Sequence, residues 1–170
     1  THLEVSGNPI ANFVQSVQAL ELAGILNNLP LILEDEIVVL VGDLNSDPAE
    51  GPDSICLLPP DFDTLDSCPT PYTIMAANGY IDTWTVRNGA SDPGYTCCQQ
   101  DLLMNPLSWL DQRIDHVWVR PPQAGPQGPN FLKAVHSTVV GDRQKDRSID
   151  GLWPSDHAGV VTGMTFRQKK

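Results

Sequence analysis

Ile37-Val38-Val39-Leu40-Val41-Gly42-Asp43-Leu44-Asn45-Ser46-Asp47-Pro48 is the stretch on which the architecture turns. Its first five residues are apolar and include three β-branched valines. The run is too short for a helix, so it reads as a strand buried on both faces. The chain then breaks into Gly, Asp, Asn and Pro. Asp43 and Asn45 lie two apart, and an extended backbone puts both side chains on one side. A carboxylate there can orient or deprotonate a water, and an amide N–H can hold a phosphate oxygen. The competing reading is a plain turn, since all four residue types form turns.

Before this strand, residues 1–5 read as another strand, and Asn8-Pro9 opens a helix. Asn caps well, and Pro at the first helical position gives up no needed N–H. Ile10, Phe13, Val14, Val17 and Leu20 recur at helical spacing, which predicts that they face the core and that Gln15 and Gln18 face out. The helix is expected to end near Asn27-Asn28-Leu29-Pro30. After the central stretch, residues 46–71 form a long loop rich in Pro, Asp and Ser. Residues 72–78 start a helix that Gly79 ends. Residues 81–86 are either a short strand or a helical turn, and 87–112 are mostly loop. Strands follow at 114–119, 131–140 and 159–166, separated by a Pro/Gly loop at 121–129 and a polar loop at 141–154. The result is an α/β (α+β) arrangement with one clear helix between the first two strands, and with motifs where strands give way to loops.

With 170 residues and 41% hydrophobic content, the chain is one domain able to bury a core. A formal net charge of −11 argues against general affinity for nucleic acid, because polyanion binding rests on Lys and Arg. A bound divalent cation would change the local field. No stretch is long and apolar enough to span a membrane. Residue 1 is Thr and reads as the end of a strand, so any signal peptide would lie upstream. Four cysteines lack CxxC spacing, so a zinc cluster is not expected. Cys56 and Cys68 suit a loop-closing disulfide in a secreted or periplasmic setting; four buried thiols is the other reading. Cys97 and Cys98 are adjacent, and neighbours in a strand face opposite ways. Trp84, Trp109, Trp118 and Trp153 are expected in the core.

Three further motifs stand in order around the central one: Thr1-His2-Leu3-Glu4, Arg113-Ile114-Asp115-His116-Val117-Trp118-Val119, and Ser155-Asp156-His157 before an apolar run. Asp115 sits in an otherwise apolar strand, where a charge needs a partner or a metal. His116 must face away from it and reads as packing or surface; Arg113 reads as a salt-bridge residue and His136 as structural. Each motif has a plain reading as a cap, a turn or a strand end. Their order and placement carry the argument, because a metal-assisted phosphoester hydrolase needs carboxylates for a hard cation, an amide for phosphate oxygen, and a His backed by an Asp.

The four motifs together resemble the endonuclease/exonuclease/phosphatase family, of the deoxyribonuclease I-like fold. The resemblance runs from residue 1 to about 166, leaving 167–170 as a tail, and covers only the carboxyl-terminal portion of that αββα sandwich. It implies a mixed sheet with a helix packed on one face. It implies that Asp43 positions or activates the attacking water, that Asn45 binds the scissile phosphate, and that His157, oriented by Asp115, is an acid/base member. It implies further that His2 hydrogen-bonds the phosphate or leaving group, and that Asp156 and Asp43 serve a Mg²⁺ (or Mn²⁺) ion. The family's early Asn and metal-binding Glu match nothing here; Glu34-Asp35-Glu36 precedes the wrong strand. The metal site is therefore expected to be incomplete, and one sheet face to be left apolar and open or covered in a homodimer. The substrate is a phosphoester of a small molecule, a lipid or a nucleic acid. The acidic balance leans toward the first two. The alternative is a catalytically inactive half-domain that pairs with another chain or segment.

Overall fold

The computed structural model describes residues 1–28, 36–51, 68–89, 91–122 and 128–167. Helix α1 spans Pro9–Asn28. Its start follows the capping argument: Asn8 Oδ1 accepts the N–H groups of Ile10 and Ala11 at 3.1 and 3.0 Å. The face it buries is not the expected one. Gln15, Ser16, Ala19 and Ala23 are buried, while Ile10, Val17 and Leu20 are exposed. Small side chains let the helix approach closely. Ser16 Oγ donates to Pro69 O at 2.8 Å, and Gln15 spends its amide on the backbone of Leu44 and Asn45. Backbone acceptors outside the helix thus override apolar periodicity.

Strand β1 is Val38–Asp43. It pairs antiparallel with β3 (Asp115–Arg120), which pairs antiparallel with the two-residue strand β2 (Ile81–Asp82), giving the order β1-β3-β2. Residues 1–5 do not form a strand; they contribute the single parallel bridge His2 to Asp43. Helix α2 (Pro71–Ala77) is capped by Thr70. Helix α3 (Thr83–Asn88) starts directly after β2, because Asp82 Oδ1 caps it through the Trp84 N–H at 3.0 Å. Strands β4 (Leu132–Val140) and β5 (Gly159–Phe166) form a separate antiparallel hairpin.

Two cores follow from strand alternation. Leu40 and Trp118 point toward α1 and α2, where they pack with Ala19, Ala23, Ile74, Met75 and Tyr80. On the opposite face, Val119 packs with Phe131 and Leu132 from the β4–β5 side. That cover does not extend to β1. Val39 and Val41 are 50% and 54% exposed, so β1 is buried on one face and not on both. Its partner Val119, directly opposite Val39, is fully buried.

Trp84, Trp118 and Trp153 are buried as expected. Trp109 is 55% exposed, a correction: the interior of its loop is taken by Gln99 and Asn105, which bond to the loop backbone at the Trp109 N–H and the Leu107 carbonyl. Cys97 and Cys98 form a vicinal disulfide instead of facing apart. Cys68 is buried and disulfide-bonded; Cys56 lies outside the described residues, as do Leu29-Pro30, most of Glu34-Asp35-Glu36 and residues 168–170. No helix among the described residues is long and apolar enough to cross a membrane.

Candidate active site

The site is assembled where β1 ends and β3 begins. Antiparallel pairing sets Asp43, the last residue of β1, directly opposite Asp115, the first of β3. The amino-terminal segment lies along the same end. The Thr1 ammonium donates to Val41 O at 2.9 Å, and the Leu3 N–H donates to Asp43 O at 3.1 Å. Gly42 permits this approach. Its φ is +154°, and a Cβ there would overlap the Thr1 backbone. His2 Nε2 consequently stands 3.5 Å from Asp43 Oδ2, with the imidazole 69% exposed.

The turn after β1 is braced from below. Asp43 Oδ1 accepts the Asn45 N–H at 2.7 Å, which holds Asn45 at a left-handed φ of 49°. Asn and Asp tolerate that region better than most residues. The Asn45 amide donates to Leu3 O at 2.8 Å, which occupies one of its two N–H groups and leaves the other. Gln15 holds the Leu44 and Asn45 carbonyls from α1.

His157 reaches the site through residues 96–99. Thr96 O accepts the Ala158 N–H at 2.7 Å, and the Gln99 N–H donates to Asp156 O at 2.7 Å. Thr96 Oγ1 also accepts the N–H groups of Ile114 and Asp115, each at 3.2 Å. One threonine therefore ties the loop carrying His157 to the start of β3. The outcome is a 2.8 Å contact between His157 Nδ1 and Asp115 Oδ2. The carboxylate accepts, so Nδ1 carries the proton and Nε2 faces away from Asp115. Cys98 Sγ lies 3.9 Å from Nε2.

Electrostatics follow from this crowding. Burial pushes the Asp43 carboxyl up; the Asn45 N–H opposes this, and the Asp115 charge adds to it. Burial pulls His157 down, but the hydrogen bond and charge of Asp115, with Asp43 and Asp156 behind it, prevail and raise its pKa above 6.5. Asp156 is exposed, and its carboxyl is held below the usual range, first by the Ser155 hydroxyl. Ligand atoms of Asp43, Asp115 and His157 all lie within 4.8 Å of one another; Asp156 is not in that group.

Behind the site lies a polar network that sequence reading recovered only in part. Arg113 forms the salt bridge expected of it, to buried Asp82 at 2.8 Å. It also donates to His116 Nδ1 at 3.1 Å, and His116 Nε2 donates to Ser46 O at 2.9 Å. Burial, with Arg113 next, lowers His116 to about 4, so it is a neutral packing group, as its place opposite Asp115 in the strand implied. The Arg113 N–H donates to Asp47 Oδ2 at 2.7 Å. Gln15, Thr96 and Cys98 were not singled out as site residues. The only sequence signal was the cysteine pair itself. A cavity of about 470 Å³ is lined by Trp84, His136 and Asp142 among others, and by none of the six candidate residues.

No protein-family model and no curated protein matches the chain. Solved structures do. TDP2 from D. rerio, complexed with single-strand DNA product, matches at a TM-score of 0.57 and 19% identity over 98% of this chain and 54% of that one. Truncated TDP2 from Caenorhabditis elegans matches at 0.57 and 18% over 98% and 52%. An endonuclease/exonuclease/phosphatase from Beutenbergia cavernae matches at 0.53 and 22% over 97% and 34%. The chain thus has the deoxyribonuclease I-like fold of the endonuclease/exonuclease/phosphatase proteins, and spans about half the length of the TDP2 structures it matches.

Proposed function

We propose that this chain is the carboxyl-terminal portion of a divalent-cation-dependent phosphoesterase that hydrolyses a phosphodiester or phosphomonoester. The observation that carries the reading is the 2.8 Å Asp115–His157 pair, set beside Asp43 by the β1–β3 register. Asp43 orients and deprotonates the attacking water, and its raised pKa makes it a better base. His157, held in one tautomer by Asp115, presents Nε2 to the leaving oxygen, and its raised pKa keeps more of it protonated near neutrality. The free N–H of the Asn45 amide and the exposed His2 imidazole hydrogen-bond the phosphate oxygens.

The donor set suits a hard cation such as Mg²⁺ or Mn²⁺. Two carboxylates, Asp43 and Asp115, converge, and Asp43 bears the cost of the crowding. Asp43 would hold the ion, with Asp156 on the metal side. When bound, the ion neutralises charge on the phosphate.

The test is hydrolysis of bis(p-nitrophenyl) phosphate and p-nitrophenyl phosphate by the encoded protein with Mg²⁺, with Mn²⁺, and with excess chelator. Cation-dependent release of nitrophenol is expected. Folded protein that cleaves neither ester with either cation sinks the proposal. The exposed Val39 and Val41 favour a second reading, an inactive half-domain that pairs through this face. It predicts a stable dimer in sedimentation, dispersed by Val41→Lys.

A further inference from the structure

Cys97 and Cys98 are joined by a disulfide between adjacent residues. A disulfide stabilises by closing a loop of the unfolded chain, and one between neighbours closes almost none. The bond therefore contributes little as a staple, and its place in the site is the feature to explain. Cys98 Sγ lies 3.9 Å from His157 Nε2, the ring nitrogen turned away from Asp115. Ligand atoms of Cys97, Cys98 and His157 all lie within 4.8 Å of one another. The backbone holds this group without help from the sulfurs. Cys97 bridges Gln112 on one side and His157 on the other. Its N–H donates to Gln112 O at 3.0 Å, and its carbonyl accepts the N–H groups of Asp111 and Gln112 at 2.8 and 3.1 Å. Thr96 and Gln99 bond the backbone of Ala158 and Asp156. None of these bonds involves a sulfur, so opening the disulfide does not remove them. Cys97 is buried and Cys98 exposed, which gives a reductant access from the Cys98 side.

Reduction adds two electrons and two protons and leaves two thiols beside an imidazole. A dithiol supplies both and becomes a disulfide; a phosphine with water does the same and becomes the phosphine oxide. Two thiolates and one imidazole nitrogen suit tetrahedral Zn²⁺ with water in the fourth place. The same soft donors disfavour Mg²⁺, which takes oxygen. Asp115 bonds Nδ1, which fixes the ring and directs Nε2 at the metal. The carboxylates acting on His157 are those of Asp115, Asp43 and Asp156, and their charge favours a cation. Cysteine spacing without CxxC does not signal this site, because His157 lies 59 residues beyond Cys98. We propose that the reduced Cys97–Cys98 pair and His157 Nε2 form a Zn²⁺ site that the intact disulfide closes to the metal. Binding releases the two thiol protons. The metal takes the nitrogen that serves the leaving oxygen, so reductant together with Zn²⁺ switches turnover off. That consequence rests on the phosphoesterase reading; the site itself does not.

Co²⁺ is the probe, because thiolate-to-cobalt charge transfer absorbs in the near ultraviolet and reports the sulfurs directly. The encoded protein is reduced with a water-soluble phosphine under nitrogen, desalted, and titrated with Co²⁺ and then Zn²⁺. Equimolar Co²⁺ should give the band, and Zn²⁺ should displace it. Oxidised protein should give none. Cys97→Ser combined with Cys98→Ser, reduced in the same way, retains the other two cysteines and should also give none. Asp115→Asn should weaken Co²⁺ binding about ten- to a hundredfold, and His157→Ala at least as much. Thermal unfolding checks the fold of every form. The proposal is overturned if the reduced parent is unfolded or gives no band. It is also overturned if oxidised protein or the double variant gives the same band, or if both Asp115→Asn and His157→Ala bind as tightly as the parent. These readouts do not use turnover, so their failure leaves the phosphoesterase reading standing, and failure of ester hydrolysis leaves the Zn²⁺ site standing.

Discussion

Asp43 and Asp115 face each other across the β1–β3 ladder, two carboxylates in register at the end of a sheet. Like charges placed directly opposite destabilise a pair; His157 is bonded to Asp115, and the charges of His157 and His2 offset only part of the burial and repulsion felt by Asp43. The strain falls on Asp43, whose pKa rises by burial and by the Asp115 charge. A folded-state pKa above the unfolded one means stability that is present at low pH and lost as pH rises through the raised value. Asp43→Asn keeps the acceptor for the Asn45 N–H and removes the charge. It should raise the thermal midpoint without added metal and abolish the rise caused by Mg²⁺ or Mn²⁺. A parent protein whose midpoint ignores both cations would count against the site.

His157→Ala should lower turnover about 10²–10⁴-fold with a smaller effect on KM, as expected of a general acid or base. Asp115→Asn should also lower turnover and should move the His157 limb of the pH–rate profile to lower pH, because the partner that raises its pKa is gone. Steady-state kinetics across pH check both. Turnover near the parent value in His157→Ala removes His157 from the reaction.

His116 should make the fold acid-sensitive. Its native pKa is lowered to about 4 by burial and by Arg113. Below its ordinary value the unfolded chain takes up a proton that the native state refuses, so stability falls with pH from about 6.5 to about 4, by about 3 kcal/mol in all. His116→Gln retains a donor and an acceptor and should flatten that slope while lowering stability at neutral pH. Urea melts at several pH values measure this. An unchanged slope would mean another group controls acid unfolding.

Cys68 is buried and bonded. Peptide mapping under non-reducing conditions should recover it linked to Cys56. Cys68→Ser should cost about 3 kcal/mol, the usual magnitude for a loop of this order. Recovery of a free Cys68 thiol from oxidised protein would refute the link.

Local chemistry was sufficient for some features. Asn8-Pro9 starts a helix because capping involves only neighbours. Gly79 ends one for the same reason, at a φ of +80°. The Gly42-Asp43-Leu44-Asn45 break and the charge within Ile114-Asp115-His116 marked the ends of buried strands, and alternation alone turned His116 away from Asp115. Other features depended on which distant backbone needed a partner. The α1 helix buries Gln15 because the Leu44 and Asn45 carbonyls lie 29 and 30 residues away in sequence. Thr96 joins Asp115 to His157, and Gln99 and Asn105 fill the interior of the loop that carries the exposed Trp109. Burial on both faces of β1 failed for a related reason: apolar composition shows what a strand can bury, but only the placement of β4 and β5 decided that Val119 is covered and Val39 is not. Periodicity and capping are properties of adjacent residues. Hydrogen-bond satisfaction and cover are properties of the packed chain, and the candidate site was decided there.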